Sequence, residues 1–389
     1  MKQGDGSREK MFLTTKRLTT LEATCLVAGA GIGGGVMATP YLAQRAGLVS
    51  TIIIAVIAYA VTLILHIMVA ELSVRTNYSS ELLTIFSKHL FQGKKPLQIG
   101  FYALMAITLV CNLAAYITGS GEILSQLISI SLVAGKIVFF VLAAAVVFFG
   151  LKKVAINEVF TIIIMLLFLL IMAALSFIKP GHIPFAESGL VPVLAVYGMV
   201  MFSLSSLFAI PQAASGLAHS RKKLIQAVVF GLLINLTVIV IITVCVLYSS
   251  ETITEVAIVG WAKTLGPIVN VLGSLFIFLA MLGTFWSISL QLCDMTGAFF
   301  KTGHKLSWLM GTLPCFIVAL LPMASFLDLM QIAGGATAVI VALMVVPAYK
   351  SSIRAESHGD ILLGKIGKNK TIAYVVMLMY ILMAIASFL

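Results

Sequence analysis

Apolar positions in this chain run in long, nearly unbroken blocks, and polar positions collect in short stretches between them. A helix needs about 20 apolar residues to cross the hydrocarbon core of a bilayer, so each block predicts a membrane span. Eleven are predicted, over about residues 18–46, 50–74, 97–127, 132–150, 154–178, 189–215, 223–248, 267–299, 306–322, 326–348 and 371–389. Residues 1–17 are polar and basic, with no small-residue cleavage pattern after the first apolar run, which predicts a retained cytoplasmic tail. Lys179-Pro180-Gly181 closes the first five spans. Between spans 2 and 3, the segment Ser80 to Phe91 gathers its apolar residues on one helical face and predicts a short helix lying in the membrane surface.

Two spans depart from the pattern. In span 1, Gly29-Ala30-Gly31-Ile32-Gly33-Gly34-Gly35 carries five glycines in seven residues. Each costs about 1 kcal/mol relative to alanine in a helix interior, so the helix is expected to break there. Unwound backbone at that depth must be buried in protein or face a watery cavity, the arrangement found at transporter substrate sites. Span 6 is interrupted through Phe202-Ser203-Leu204-Ser205-Ser206-Leu207-Phe208, with Pro211 beyond. The first break opens spans 1–5 (residues 18–178) and the second opens spans 6–10 (residues 189–348), leaving span 11 (371–389) outside the pairing. Because five is odd, the second set enters with inverted topology, which predicts an all-α membrane protein with a five-plus-five inverted repeat and discontinuous spans 1 and 6. No convincing residue-by-residue identity links the halves.

Composition agrees. Of 389 residues, 61% are apolar and 10% charged, and no stretch between spans is long enough for a soluble domain. The net charge of +11 sits in short clusters, which argues for the positive-inside rule and against nucleic acid as a partner. With the N-terminus inside, Lys and Arg divide about 21 to 4 in favour of the cytoplasmic side, only Arg45, Lys136, Lys179 and Lys263 falling outside. A multi-pass protein of the cell membrane is predicted, N-terminus cytoplasmic and C-terminus outside, with lipid as its surroundings and no obligate protein partner evident. The five cysteines, Cys25, Cys111, Cys245, Cys293 and Cys315, fall inside apolar segments at irregular spacing and read as small buried hydrophobes.

The chemistry is expected at the breaks. Free amides near Gly33, Gly34 and Gly35 carry partial positive charge and suit a carboxylate, while free carbonyls near Ala28, Gly29, Ala30 and Gly31 suit an ammonium group or a cation. A zwitterion satisfies both. The glycines have an alternative use in tight helix packing, but this run covers every face of the helix. At the second break Ser203, Ser205 and Ser206 offer hydroxyls beside freed backbone and Phe202 and Phe208 offer apolar walls, although serines in membrane helices also bond back to their own carbonyls. Thr284, Ser287 and Ser289 on span 8, with Ala28 and Ile32 on span 1, are candidates for holding Na⁺. Proton coupling would need a titratable group, drawn from Asp294, Glu22, Glu122, Glu158 and Asp328, all read as lying toward helix ends, or His66 inside span 2. Asn112, Tyr116 and Gly119 on span 3 and Gly334-Gly335 on span 10 are candidates for the cavity wall. No cofactor is expected beyond H⁺ or Na⁺ as coupling ion.

The pattern Gly29-x-x-Ile32-Gly33-x-Gly35-x-x-x-x-Pro40 resembles the first-helix signature of the bacterial aromatic and hydroxy amino acid permeases. These belong to the amino acid/auxin permease group of the amino acid–polyamine–organocation superfamily. Eleven spans and an inside N-terminus also resemble that group. Phe202-Ser203-Leu204-Ser205-x-x-Phe208 is similar to the unwound substrate segment of related sodium-coupled transporters. The resemblance implies a LeuT-like fold working by alternating access, with a small-molecule amino acid, aromatic or otherwise neutral, bound between spans 1 and 6. Bacterial members typically use protons and animal relatives often sodium, so the resemblance favours proton coupling and keeps a sodium-coupled neutral amino acid symporter as the alternative. The extra glycine at 33–35 departs from the pattern and bears on site size. An enzyme is not indicated, since neither H-E-x-x-H nor G-x-G-D occurs. A non-transporting sensor on the same fold would bind substrate without moving it, and no ring-forming filter sequence points to a channel.

Overall fold

The computed structural model describes residues 17–178, 189–218, 220–254, 257–321, 326–355 and 362–386. Most of the N-terminal tail, the Lys179-Pro180-Gly181 closure and the end of span 11 lie outside the described residues, and so does the side chain of Asp328.

Span 1 is two helices, α1 (Thr20–Gly31) and α2 (Gly34–Ala46), bent by 52° across Ile32-Gly33. The break is narrower than the glycine run suggested. Gly29, Gly31, Gly34 and Gly35 all stay helical, so the cost of glycine is tolerated within each half and expressed only at the junction. α1 starts on a capping box in which Thr19 Oγ1 accepts from the Glu22 amide (3.2 Å) and the Glu22 carboxylate accepts from the Thr19 amide (2.8 Å).

Next come α3 (Leu48–Arg75), the short α4 (Leu82–Phe86) with a wider π turn over Ser87–Phe91, α5 (Lys95–Ile128), α6 (Leu132–Phe148) and α7 (Leu151–Ser176). The connection around α4 does not lie with its apolar face turned outward. Leu82, Ile85 and Phe86 are fully buried, and Phe86 and Phe91 pack on Phe101 of α5 at 5.1 and 5.7 Å between ring centroids, so protein covers the face expected to meet lipid.

Span 6 is also two helices, α8 (Leu190–Ser203) and α9 (Ala209–Gly216), separated by Leu204–Phe208. There follow α10 (Arg221–Ser249), α11 (Ala257–Leu265), α12 (Pro267–Phe300), α13 (His304–Leu320) and α14 (Phe326–Ile340). A π turn carries α14 into α15 (Val346–Ala355), extending span 10 past its expected end, and α16 (Gly364–Lys368) and α17 (Lys370–Ala386) complete the chain. The pattern does not predict α11. It is anchored by the Trp261 indole N–H, which donates to Ser176 Oγ (2.8 Å).

Six described helices are long and apolar enough to cross a membrane, and α1 with α2 makes a bent seventh. α6, α8, α13 and α17 are shorter apolar helices of the same character. The chain is therefore a multi-pass membrane protein. α1 packs against α10, α7 and α12, and α2 packs against α8. Glu22 of α1 pairs with Lys152 of α7, and one to two turns further along both helices Gly29 faces Glu158, so α1 and α7 run side by side in the same direction. Ile32 at the first break and Leu204, Ser206 and Leu207 at the second are all buried, so both breaks lie inside the helical mass.

Candidate functional site

At the first break, helix geometry dictates what is exposed. Gly34 and Gly35 occupy the first turn of α2, where amides have no preceding helical carbonyl to bond. At the end of α1 the carbonyls are partly engaged: Ala28 O accepts from the Ile32 amide (3.1 Å) and Gly31 O from the Gly33 amide (2.9 Å). Ala28 is therefore a capping carbonyl here. Gly29 O and Ile32 O lie 3.0 and 3.1 Å from Thr284 Oγ1 of α12, and the same hydroxyl reaches Ala280 O at 3.0 Å. Thr284 acts as a hydrogen-bonded strap between α12 and the end of α1.

The second break is stabilised by side chains that reach it from spans 2 and 7. The Ser206 amide, freed where α8 ends, donates to His66 Nε2 (2.9 Å), while His66 Nδ1 faces Thr62 O (2.7 Å). An amide can only donate, so Nε2 is the acceptor and Nδ1 carries the hydrogen: the ring is a neutral tautomer with both nitrogens committed. Asn235 Nδ2 donates to Ser206 Oγ (3.3 Å) and fills the space a side chain at Gly31 would need, which ties the two breaks together. Ser203 bonds back to Met199 O (2.7 Å), as serines in helices do.

Between the breaks lies a cavity of about 20 Å³, room for about one water. Ala30, Gly31, Gly33, Gly34 and Gly35 line it from span 1, and Phe202, Ser203, Ser205, Ser206 and Phe208 from span 6. Thr284 and Ile288 of α12 close another side, Asn112 and Tyr116 of α5 a third, and Thr337 of α14 a fourth. Asn112 Oδ1 is buried with no hydrogen-bond partner among the described residues. Among the described residues no carboxyl, amine, guanidinium or imidazole group lines the cavity, and the groups facing it are backbone dipoles, hydroxyls, one amide and aromatic rings. Such a lining accommodates a molecule that is charged at both ends and neutral overall.

Other residues singled out from sequence stand elsewhere. Gly29 lies against Glu158 rather than the cavity. Ser287 is buried one turn beyond Thr284, and its carbonyl accepts from Gln212 Nε2 (2.8 Å); Ser289 is buried but outside the lining. Asp294, ten residues or about 15 Å along α12 from Thr284, accepts from Ser80 Oγ (3.1 Å) beside the α4 connection. Glu22 sits in the first turn of α1 as expected, but Glu158 does not belong to a helix end: it is seven residues into α7 and fully buried. Sequence reasoning missed Asn235, Gln212 and Thr337. Isolated amides and hydroxyls in apolar spans were the available signal.

Residues 16–387 match the tryptophan/tyrosine permease family. Among curated proteins none matches the chain. Among solved structures, the chain is similar to MHP1, a nucleobase-cation-symport-1 family transporter, in a closed conformation with bromovinylhydantoin bound; the TM-score is 0.60 at 13% identity, covering 96% of this chain and 91% of that one. It is also similar to a manganese transporter from Eremococcus coleocola, solved in two mutant forms, with TM-score 0.64 at 13% identity over 94% of this chain and 85% of the other. At that identity the likeness speaks to fold alone.

Proposed function

This chain belongs to the tryptophan/tyrosine permease family, and from that premise we propose that it imports an aromatic amino acid by proton-coupled alternating access. The observation that carries the reading is the cavity without charged side chains at two helix breaks. The amides at the start of α2 receive the substrate carboxylate, Asn112 Oδ1 and the carbonyl end of α1 receive the ammonium group, and Phe202, Phe208 and Tyr116 surround the ring. A cavity of about 20 Å³ is far smaller than an aromatic amino acid, so the described state is a contracted one that must open on one side to load.

The proposed architecture is eleven spans in a five-plus-five inverted repeat, residues 18–178 and 189–348, with span 11 appended. Its support is a correspondence of contacts between the halves. α1 packs on α10 as α8 and α9 pack on α3; α5 packs on α6 as α12 packs on α13; α5 packs on α14 as α12 packs on α7. The charge division between loops favours a cell-membrane protein with its N-terminus in the cytoplasm and its C-terminus outside.

The test is uptake of labelled tryptophan, tyrosine and other neutral amino acids into proteoliposomes, with sodium replaced by potassium and with or without a proton uncoupler. Accumulation that survives sodium removal and collapses with uncoupler supports the proposal. Sodium-dependent, uncoupler-resistant uptake replaces the ion, and tight binding without uptake turns the protein into a sensor.

A further inference from the structure

Glu158 takes no part in lining the substrate cavity, yet its side chain is fully buried and neither carboxyl oxygen has a hydrogen-bond partner among the described residues. Two glycines make room for it. A Cβ at Gly29 of α1 would fall inside the carboxyl group, and one at Gly283 of α12 would stand 2.8 Å from Oε2. The group is thus clamped between α7, α1 and α12, beside the strap from Thr284 to the Gly29 and Ile32 carbonyls.

No cation faces it. From α1 the titratable neighbour is the Cys25 thiol. α12 presents Gly283 and Thr284, its one acid, Asp294, lying 11 residues or about 16 Å further along. Arg221, Lys222 and Lys223 stand at the start of α10; Lys136 of α6 is spent on Ala319 O (2.6 Å); α9 has no ionisable side chain. Lys152 at the start of α7 is paired with Glu22. A bare carboxylate here would be stripped of water and would also face the partially negative carbonyl end of α1. A neutral carboxylic acid meets neither penalty.

We propose that Glu158 is the residue that carries the coupling proton, and that its protonation holds the broken end of α1 against α7 and α12. This rests on the proton-coupled reading above. With the proton bound, α1 packs closed. Once it leaves, the anion and the α1 carbonyls repel, and the half-helix that supplies Ala30 and Gly31 to the substrate cavity is released. Because substrate and proton both bind the same arrangement of α1, each favours the other's binding.

The test uses full-length protein in liposomes, comparing wild type with Glu158→Gln for tryptophan accumulation on an inward proton gradient and for tryptophan exchange without any ion gradient. The expected result is that Glu158→Gln exchanges tryptophan but loses both accumulation and substrate-triggered proton entry, read with an internal pH dye, and that Glu158→Asp recovers part of each. A Glu158→Gln protein that accumulates tryptophan like wild type, with the same uncoupler sensitivity, overturns the assignment. Infrared difference spectra of the wild type between acidic and alkaline buffer decide the matter even if that variant does not fold. A neutral carboxylic acid band that vanishes at alkaline pH and shifts in Glu158→Asp supports the proposal, and its absence from the wild type overturns it. Wild type that moves no amino acid at all counts against the transport reading itself. Wild type driven by sodium alone overturns the proton role and leaves amino acid transport standing.

Discussion

Replacing His66 tests whether the second break is held by a committed neutral imidazole. In His66→Leu the Ser206 amide loses its acceptor (2.9 Å in the wild type) in a buried setting. A buried donor left unsatisfied costs about 1–3 kcal/mol. At about 1.4 kcal/mol per factor of ten, this corresponds to a loss of roughly 5- to 150-fold in the population of the arrangement that binds substrate. His66→Gln offers an amide oxygen to the same amide and should recover much of the loss. The assay is tryptophan binding to detergent-solubilised protein, with thermal unfolding alongside. Binding should weaken in His66→Leu by a factor in that range, recover in His66→Gln, and keep its pH dependence in both, since neither ring nitrogen is free to exchange a proton. Unaltered affinity and stability in His66→Leu would refute the role of the bond, and loss of the pH dependence in His66→Gln would refute the commitment of the ring.

Gly33→Val should abolish tryptophan uptake with little change in expression, because even a Cβ there stands 2.9 Å from Tyr116 Oη and 3.1 Å from Thr284 Oγ1, and valine adds two methyls. Normal uptake by that variant would remove Gly33 from the site. Asp294→Asn keeps an acceptor for Ser80 and should leave the pH and sodium profile of uptake unaltered; a changed profile would give Asp294 a part in coupling. Outside the spans, burial pushes the Glu81 carboxyl up to about 6, the neighbouring Asp294 carboxylate adding to it. A carboxyl whose folded value is raised binds more protons folded than unfolded, so stability should fall as pH rises from the ordinary carboxylate range through about 6, by about 2 kcal/mol in all. Glu81→Gln should flatten that dependence in thermal unfolding, and an equally steep profile would show that another group is responsible.

Much of this molecule is legible in hydropathy alone, because lipid forces a helix to bury its own backbone and leaves long apolar blocks as the record. Both breaks show in composition: glycine at Ile32-Gly33 and a serine cluster at Leu204–Phe208. What the pattern hides is which side chains turn toward the breaks. Asn235 and Gln212 are single polar residues in apolar helices, and only packing shows that one bridges to Ser206 and the other to Ser287. Glu158 stands close to the expected start of its span at about 154, which makes it an end residue in the pattern; the helix begins at Leu151, so the acid lies two turns inside it. α11 escaped because nine residues are too few for a span, and its anchor, Trp261 on Ser176, joins positions 85 residues apart.

The clamp around Glu158 ties three distant positions to one another by volume. Residues 29, 158 and 283 belong to different helices, yet the carboxyl takes the space that side chains on the other two would need. An acid at 158 demands glycine at both partners, whereas a small residue at 158 would vacate a hollow that a hydroxyl or methyl on either neighbour could fill. Across relatives the trio should change together, and swapping one member alone should be harmful where a matched double replacement is tolerated.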